Sequence, residues 1–116
     1  MSHKRIFEIQ AELCRAMGNP LRIEIVHLLR DNPLTVNDIA SSTNNHQATV
    51  SRNLAILRNA GIVTTHREGN NILYHVANPK LVRVCDLMQE VLEEQIAHNT
   101  QLVQNLVRGS SNSQSE

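Results

Sequence analysis

The chain of 116 residues is long enough for one domain with a modest core, and 41% of it is hydrophobic, yet it holds one Phe, one Tyr and no Trp. Its core must therefore be aliphatic, the texture of packed helices. With 11 basic and 11 acidic residues the formal net charge is zero, which excludes nucleic-acid binding through bulk charge alone.

The charge is segregated along the chain. Residues 39–85 hold Arg52, Arg58, Arg67, Lys80 and Arg83 against a single acid, Glu68, whereas residues 86–94 hold Asp86, Glu90, Glu93 and Glu94 with no Lys or Arg. There is no apolar run of about 18 residues, and the N-terminus lacks the apolar segment and small-residue cleavage site of a secretory signal. A soluble, cytoplasmic protein without a membrane partner is expected.

Residues 3–17 repeat apolar side chains at Ile6, Ile9, Leu13, Ala16 and Met17, a helical stripe with Phe7 and Cys14 beside it. Gly18 and Asn19 are expected to end that helix, since both tolerate a left-handed cap, and Pro20 opens the next one where no amide hydrogen is needed. The second helix, residues 20–30, is expected to bury Leu21, Ile25, Leu28 and Leu29 and to close at Asp31, Asn32 and Pro33. Residues 35–42 read as a shorter helix with Val36, Ile39 and Ala40 inward and Thr35 or Asn37 as its cap.

After a polar turn of Thr43, Asn44, Asn45 and His46 comes the central stretch, QATVSRNLAILRNAG, at residues 47–61. At helical pitch Val50, Leu54 and Leu57 share one stripe, and Gln47, Ala48, Ser51, Arg52 and Ala55 share the other. The first is a core face. The second, with its amide, guanidinium, short hydroxyl and methyls, suits a surface lying along base edges in a major groove. Asn59 and Gly61 are expected to stop the helix. A helix, a short turn and a second helix with a polar outer face make a helix-turn-helix, in which the second helix is the reader.

The period then falls from 3.6 to about 2. Residues 62–65 and 72–76 are expected strands, with Arg67, Glu68, Gly69, Asn70 and Asn71 forming the tip between them. A two-stranded ribbon directly after a reader helix is a wing, placed to touch flanking phosphates or the minor groove through Arg67, Asn70 and Asn71. Asn78 and Pro79 mark a further helix start. From Lys80 onward Leu81, Cys85, Met88, Leu92, Gln95, Asn99, Leu102 and Leu106 run close to a heptad seam, broadened by Val84, Val91, Ile96 and Val103. A helix over residues 80–107 would be about 40 Å long, so its seam needs a partner, and its own copy is the simplest.

The expected architecture is mainly α with a two-stranded β wing, a winged helix-turn-helix in the order α-α-α-α-β-β-α. It is expected to form a homodimer through the first and last helices. Residues 1–107 are expected to form the DNA-binding and dimerisation domain, and residues 108–116, largely Gly, Ser, Asn and Gln, a disordered tail. Two reader helices about a two-fold axis would enter successive major grooves of double-stranded DNA and read an inverted repeat.

With AMGNPLRIEIVHLL at 16–29, QATVSRNLAILRNAGIV at 47–63 and REGNNILYHV at 67–76, the chain resembles the ArsR/SmtB family of small bacterial winged-helix repressors over roughly residues 6–106. The resemblance implies a homodimer that binds operator DNA, represses transcription and leaves the DNA when a metal ion or another inducer binds. On the reader helix the family pattern commonly carries Gln, Thr, Ser and one or two His at the positions of Gln47, Thr49, Ser51, Arg52 and Asn53; here Arg and Asn replace the His pair. Gln47, Ala48, Thr49, Ser51, Arg52 and Arg58 on the reader, with Arg67, Asn70 and Asn71 on the wing, are the expected DNA contacts.

The family's inducer sites are largely missing. VNDIASS at 36–42 stands where the arsenic-type site needs Cys-x-Cys, and Met88 stands where the zinc-type site of the last helix needs its first His, two residues after Asp86. No metal ligand set and no cofactor is expected. Two cysteines remain, Cys14 and Cys85, on helices that the family packs together. They stand as an inducer-sensing pair for thiol oxidants or reactive sulfur, as soft-metal or arsenic ligands, or as ordinary packing thiols, since Cys is among the most buried residue types. His3, His27, His46, His66, His75 and His98 show no paired helical spacing. No nucleophile with its base, phosphate-cradling Gly loop or paired catalytic carboxylate can be read, so an enzyme is not expected. A winged-helix protein interaction module with no inducer is the rival reading.

Overall fold

The computed structural model describes residues 3–100 and 104–107. Helices α1 (His3–Met17), α2 (Pro20–Leu28), α3 (Val36–Thr43) and α4 (Gln47–Asn59) precede strands β1 (Val63–Glu68) and β2 (Asn71–Val76), and α5 (Lys80–His98) follows. This is the expected winged helix-turn-helix order. The described residues group into two units, one within Met1–Arg83 and one within Val84–Glu116.

In the first unit an aliphatic core forms from Ala16 of α1, Ile25 and Val26 of α2, Leu29, Ile39 of α3, Val50, Leu54 and Leu57 of α4, and Ile62 and Val63 at the start of the wing. The apolar faces of α2, α3 and α4 are thereby largely removed from water, the principal stabilising term for so small a unit, whereas α1 contributes only Ala16 to the fully buried core. The expected stripe of α2 is corrected in detail: Val26 is fully buried, while Leu21 and Leu28 are half-buried, as are Val36 and Ala40 of α3.

Helix ends explain the topology. Asn19 does not adopt the left-handed conformation that the sequence suggested; it is the extended N-cap of α2, its side chain accepting from the amides of Leu21 at 3.0 Å and Arg22 at 3.2 Å, ahead of Pro20 at the first helical position. Gly18 is not left-handed either. Thr35 caps α3 in a reciprocal box: its hydroxyl accepts from the Asp38 amide at 3.1 Å, and the Asp38 carboxylate accepts from the Thr35 amide at 3.2 Å. At the C-terminus of α4 the stop belongs to Gly61 alone, with φ +76°, while Asn59 remains helical. The Gly61 amide donates to the Arg58 carbonyl at 3.0 Å and the next amide, of Ile62, to the Leu57 carbonyl at 2.9 Å, a Schellman ending that turns the chain directly into the wing.

The wing is longer than its apolar runs. β1 and β2 pair antiparallel from Val63 with Val76 to Glu68 with Asn71, so Arg67, Glu68 and Asn71 lie in the ladder and the tip is only Gly69 and Asn70. Gly69 alone in that tip has positive φ, +62°, as a II′-type two-residue hairpin requires. One connection was not foreseen: Leu34, just before α3, bridges Tyr74 of β2 through amide-to-carbonyl bonds of 3.0 and 2.8 Å.

α5 begins as expected, with the Asn78 side chain accepting from the Lys80 amide at 2.9 Å. Its apolar residues are not buried within the chain; Val84, Leu87, Met88, Leu92 and Ile96 are all exposed, Met88 by 65%. The expected helix over residues 80–107 is described to His98, and again as helical at 104–107. Leu102 and Val103 of the seam, and the tail at 108–116, lie outside the described residues.

Candidate nucleic-acid interface

Packing of Val50, Leu54 and Leu57 at zero exposure fixes the rotation of α4 about its own axis, and so decides which side chains face outward. Gln47, Ala48, Ser51, Arg52, Ala55 and Arg58 are all exposed. Thr49 is half-buried at the edge of that surface, with its backbone carbonyl engaged by Asn53. Asn53, at the other position where the family pattern carries His, is turned away from the outer surface: its amide nitrogen donates to the Thr49 carbonyl at 2.9 Å and its oxygen accepts from Arg22 of α2 at 2.9 Å.

The electrostatics favour an anion. Helix α4 carries Arg52 and Arg58 and no acid. His46 is its N-cap residue but makes no side-chain capping bond, so the first-turn amides and the positive end of the helix dipole are left for an external acceptor. The tight turn beneath is held by Asn44 in the left-handed conformation, φ 54°, and by the Asn45 amide donating to the Ala40 carbonyl at 3.1 Å. Ala40, Ser41, Asn44, Asn45 and His46 line a shallow polar recess there.

On the wing Arg67, Asn70 and Asn71 are exposed. Arg67 projects from the strand rather than the tip, paired opposite Ile72. The antiparallel register also brings together two histidines that are far apart in sequence: the rings of His66 and His75 lie 5.2 Å apart, and His66 Nε2 is 3.6 Å from a carboxylate oxygen of Glu68.

A rod of exposed polar side chains at the front of a helix-turn-helix, followed by a ribbon with polar flanks, is a DNA-reading arrangement. Residues 19–65 match the model of the arsR family of bacterial regulatory proteins. The chain is 30% identical to the homodimeric winged helix-turn-helix DNA-binding domain of Mb0332 from Mycobacterium bovis, with a TM-score of 0.76 and coverage of 84% of this chain and 93% of that one. The chain belongs to the ArsR family.

It is also 30% identical to the transcriptional activator HlyU of Vibrio cholerae over 68% of this chain and 73% of HlyU. With the Mycobacterium tuberculosis repressor SmtB the identity is 36% over 70% of this chain and 60% of SmtB. The protein is accordingly a winged-helix, DNA-binding transcriptional regulator and not an enzyme. Among the described residues no group of three or more His, Cys, Asp or Glu side chains is arranged to hold a metal ion. Cys14 is exposed on α1 and Cys85 half-buried on α5. No helix among the described residues is long and apolar enough to cross a membrane.

Proposed function

We propose that this ArsR-family regulator is a cytoplasmic homodimeric repressor that holds an inverted-repeat operator and releases it when Cys14 and Cys85 are modified. The observation that carries the DNA reading is the division of α4 into a fully buried aliphatic face and an exposed face of Gln47, Ala48, Ser51 and Arg52 with no acid among them. In this reading those side chains, with Thr49 at their edge, meet base edges, while Arg58, Arg67, Asn70 and Asn71 hold flanking phosphates or the minor groove.

Dimerisation is supported by the homodimeric Mb0332 domain and by exposed apolar side chains on both α1, where Ile6, Phe7 and Ile9 face solvent, and α5. An apolar seam of this extent is stable in water only when covered, and a second copy presents the same seam. The thiol reading is supported by the exposure of Cys14, which a purely packing role does not require. A small-molecule disulfide would oxidise the two thiols by exchange, forming one protein disulfide and releasing two molecules of its own thiol.

One experiment tests the whole reading. The wild-type protein is used to enrich binding sequences from a randomised duplex pool, and the enriched duplex is titrated with and without disulfide, persulfide donor, arsenite and Zn²⁺, with mass spectrometry of each sample. Recovery of an inverted repeat, released by disulfide or persulfide from wild type but not from Cys85→Ser or Cys14→Ser, is expected. Release of the Cys85→Ser protein to the wild-type extent refutes thiol sensing. Release by arsenite alone assigns the same cysteines to a soft metal, and failure to enrich any sequence favours a protein interaction module.

A further inference from the structure

We propose that Arg22 is a positioning residue for DNA binding, tying the reader helix to the end of α1 so that the orientation of the reading face follows the first helix. The inference rests on the operator reading given above. Arg22 lies half-buried in the first turn of α2, and its guanidinium spans two other helices. Nε donates to the Ala16 carbonyl at 2.6 Å and Nη2 to the Arg15 carbonyl at 3.4 Å, while Nη1 donates to the Asn53 side-chain oxygen at 2.9 Å.

Each end of this link is constrained. Ala16 and Arg15 belong to the last turn of α1, where the helix dipole is negative and the carbonyls take donors from beyond the helix, the Gly18 amide also donating to the Arg15 carbonyl at 3.1 Å, so a guanidinium is held there by both hydrogen bonding and charge. Asn53 uses its remaining polar group on its own helix, donating to the Thr49 carbonyl at 2.9 Å, and so cannot swing toward Arg22 without α4 following. Of its neighbours on the helix, Thr49 borders the reading face and Arg52 lies within it. A planar fork with donors in fixed directions transmits displacement where a flexible point charge would not. The same α1 carries exposed Ile6, Phe7 and Ile9, so a shift of α1 against a second copy would reach the reader through this link as well as through the direct packing of α1 on α4.

Arg22→Lys, Asn53→Ala and the double variant, each checked for a cooperative thermal transition, are titrated with the duplex enriched by the wild-type protein and with a random-sequence duplex. Each single change is expected to weaken the enriched duplex about tenfold, and the pair together by about the same factor, because both remove one link. Random-sequence affinity and the salt slope stay unchanged. Additive losses near a hundredfold, wild-type affinity in either single variant, or a salt slope lower by about one phosphate contact would each overturn the proposal. If the wild-type protein enriches no duplex, it is the operator reading that fails, and the link is judged by amide hydrogen exchange. Arg22→Lys is then expected to speed exchange over residues 49–57 about tenfold with β1 and β2 unaltered, and uniform acceleration or none overturns it.

Discussion

Two glycines at helix ends give opposite predictions for the same substitution. Gly61, between α4 and the wing, has φ +76°, and an added Cβ would meet no heavy atom within 4 Å. Alanine there suffers the left-handed backbone and nothing else, a cost of about 1–2 kcal/mol, partly offset by about 0.4–1 kcal/mol from the stiffer unfolded chain. A net destabilisation of about 1 kcal/mol is expected. Gly18, between α1 and α2, is not left-handed, and its Cβ would sit 3.4 Å from the carbonyl oxygens of Arg15 and Cys14, an ordinary contact. Only the unfolded-state term remains, so Gly18→Ala should stabilise by about 0.5 kcal/mol. Urea unfolding followed by circular dichroism, at one protein concentration because oligomer stability depends on it, should separate the two variants by about 1.5 kcal/mol with a common slope. Shifts of the same sign, or a Gly61→Ala protein more stable than wild type, would refute this account of the two helix ends.

Further outcomes follow from the core and from the reading face. Leu54→Ala removes a fully buried side chain from the middle of the reader helix and should cost about 2–5 kcal/mol in the same unfolding assay; a loss under about 1 kcal/mol would place Leu54 outside the core. Arg52→Ala should weaken an enriched duplex by about tenfold for each half-site while changing thermal stability little, since the side chain is exposed. Equal losses on enriched and random duplexes would make Arg52 a phosphate contact instead.

The helix-turn-helix was legible in the sequence because its signals are local. The stripe of Val50, Leu54 and Leu57 repeats at helical pitch, and Thr35 and Pro20 mark helix starts by chemistry confined to one turn. What escaped depends on partners distant along the chain. Arg67 and Asn71 look like tip residues from composition, yet the register that pairs them with Ile72 and Glu68 extends both strands beyond the apolar runs. His66 and His75 meet only through that register, and nothing local to Asn53 signals the hydrogen bond that its oxygen accepts from Arg22, 31 positions earlier. Asn19 and Asn59 show the limit of residue type alone, since the first starts a helix and the second merely continues one.

The Leu34–Tyr74 bridge fastens the inner strand of the wing to the segment that leads into α3. The ribbon is therefore stapled at its root and open at its far end, where only Gly69 and Asn70 join the strands. Lengthening that hairpin by a few residues should alter how far the ribbon reaches along a duplex without disturbing the helices behind it, whereas an insertion beside Leu34 would loosen both at once. In the proposed DNA complex, the tip of the wing is thus a place where reach along the duplex can be changed while the helices stay as they are.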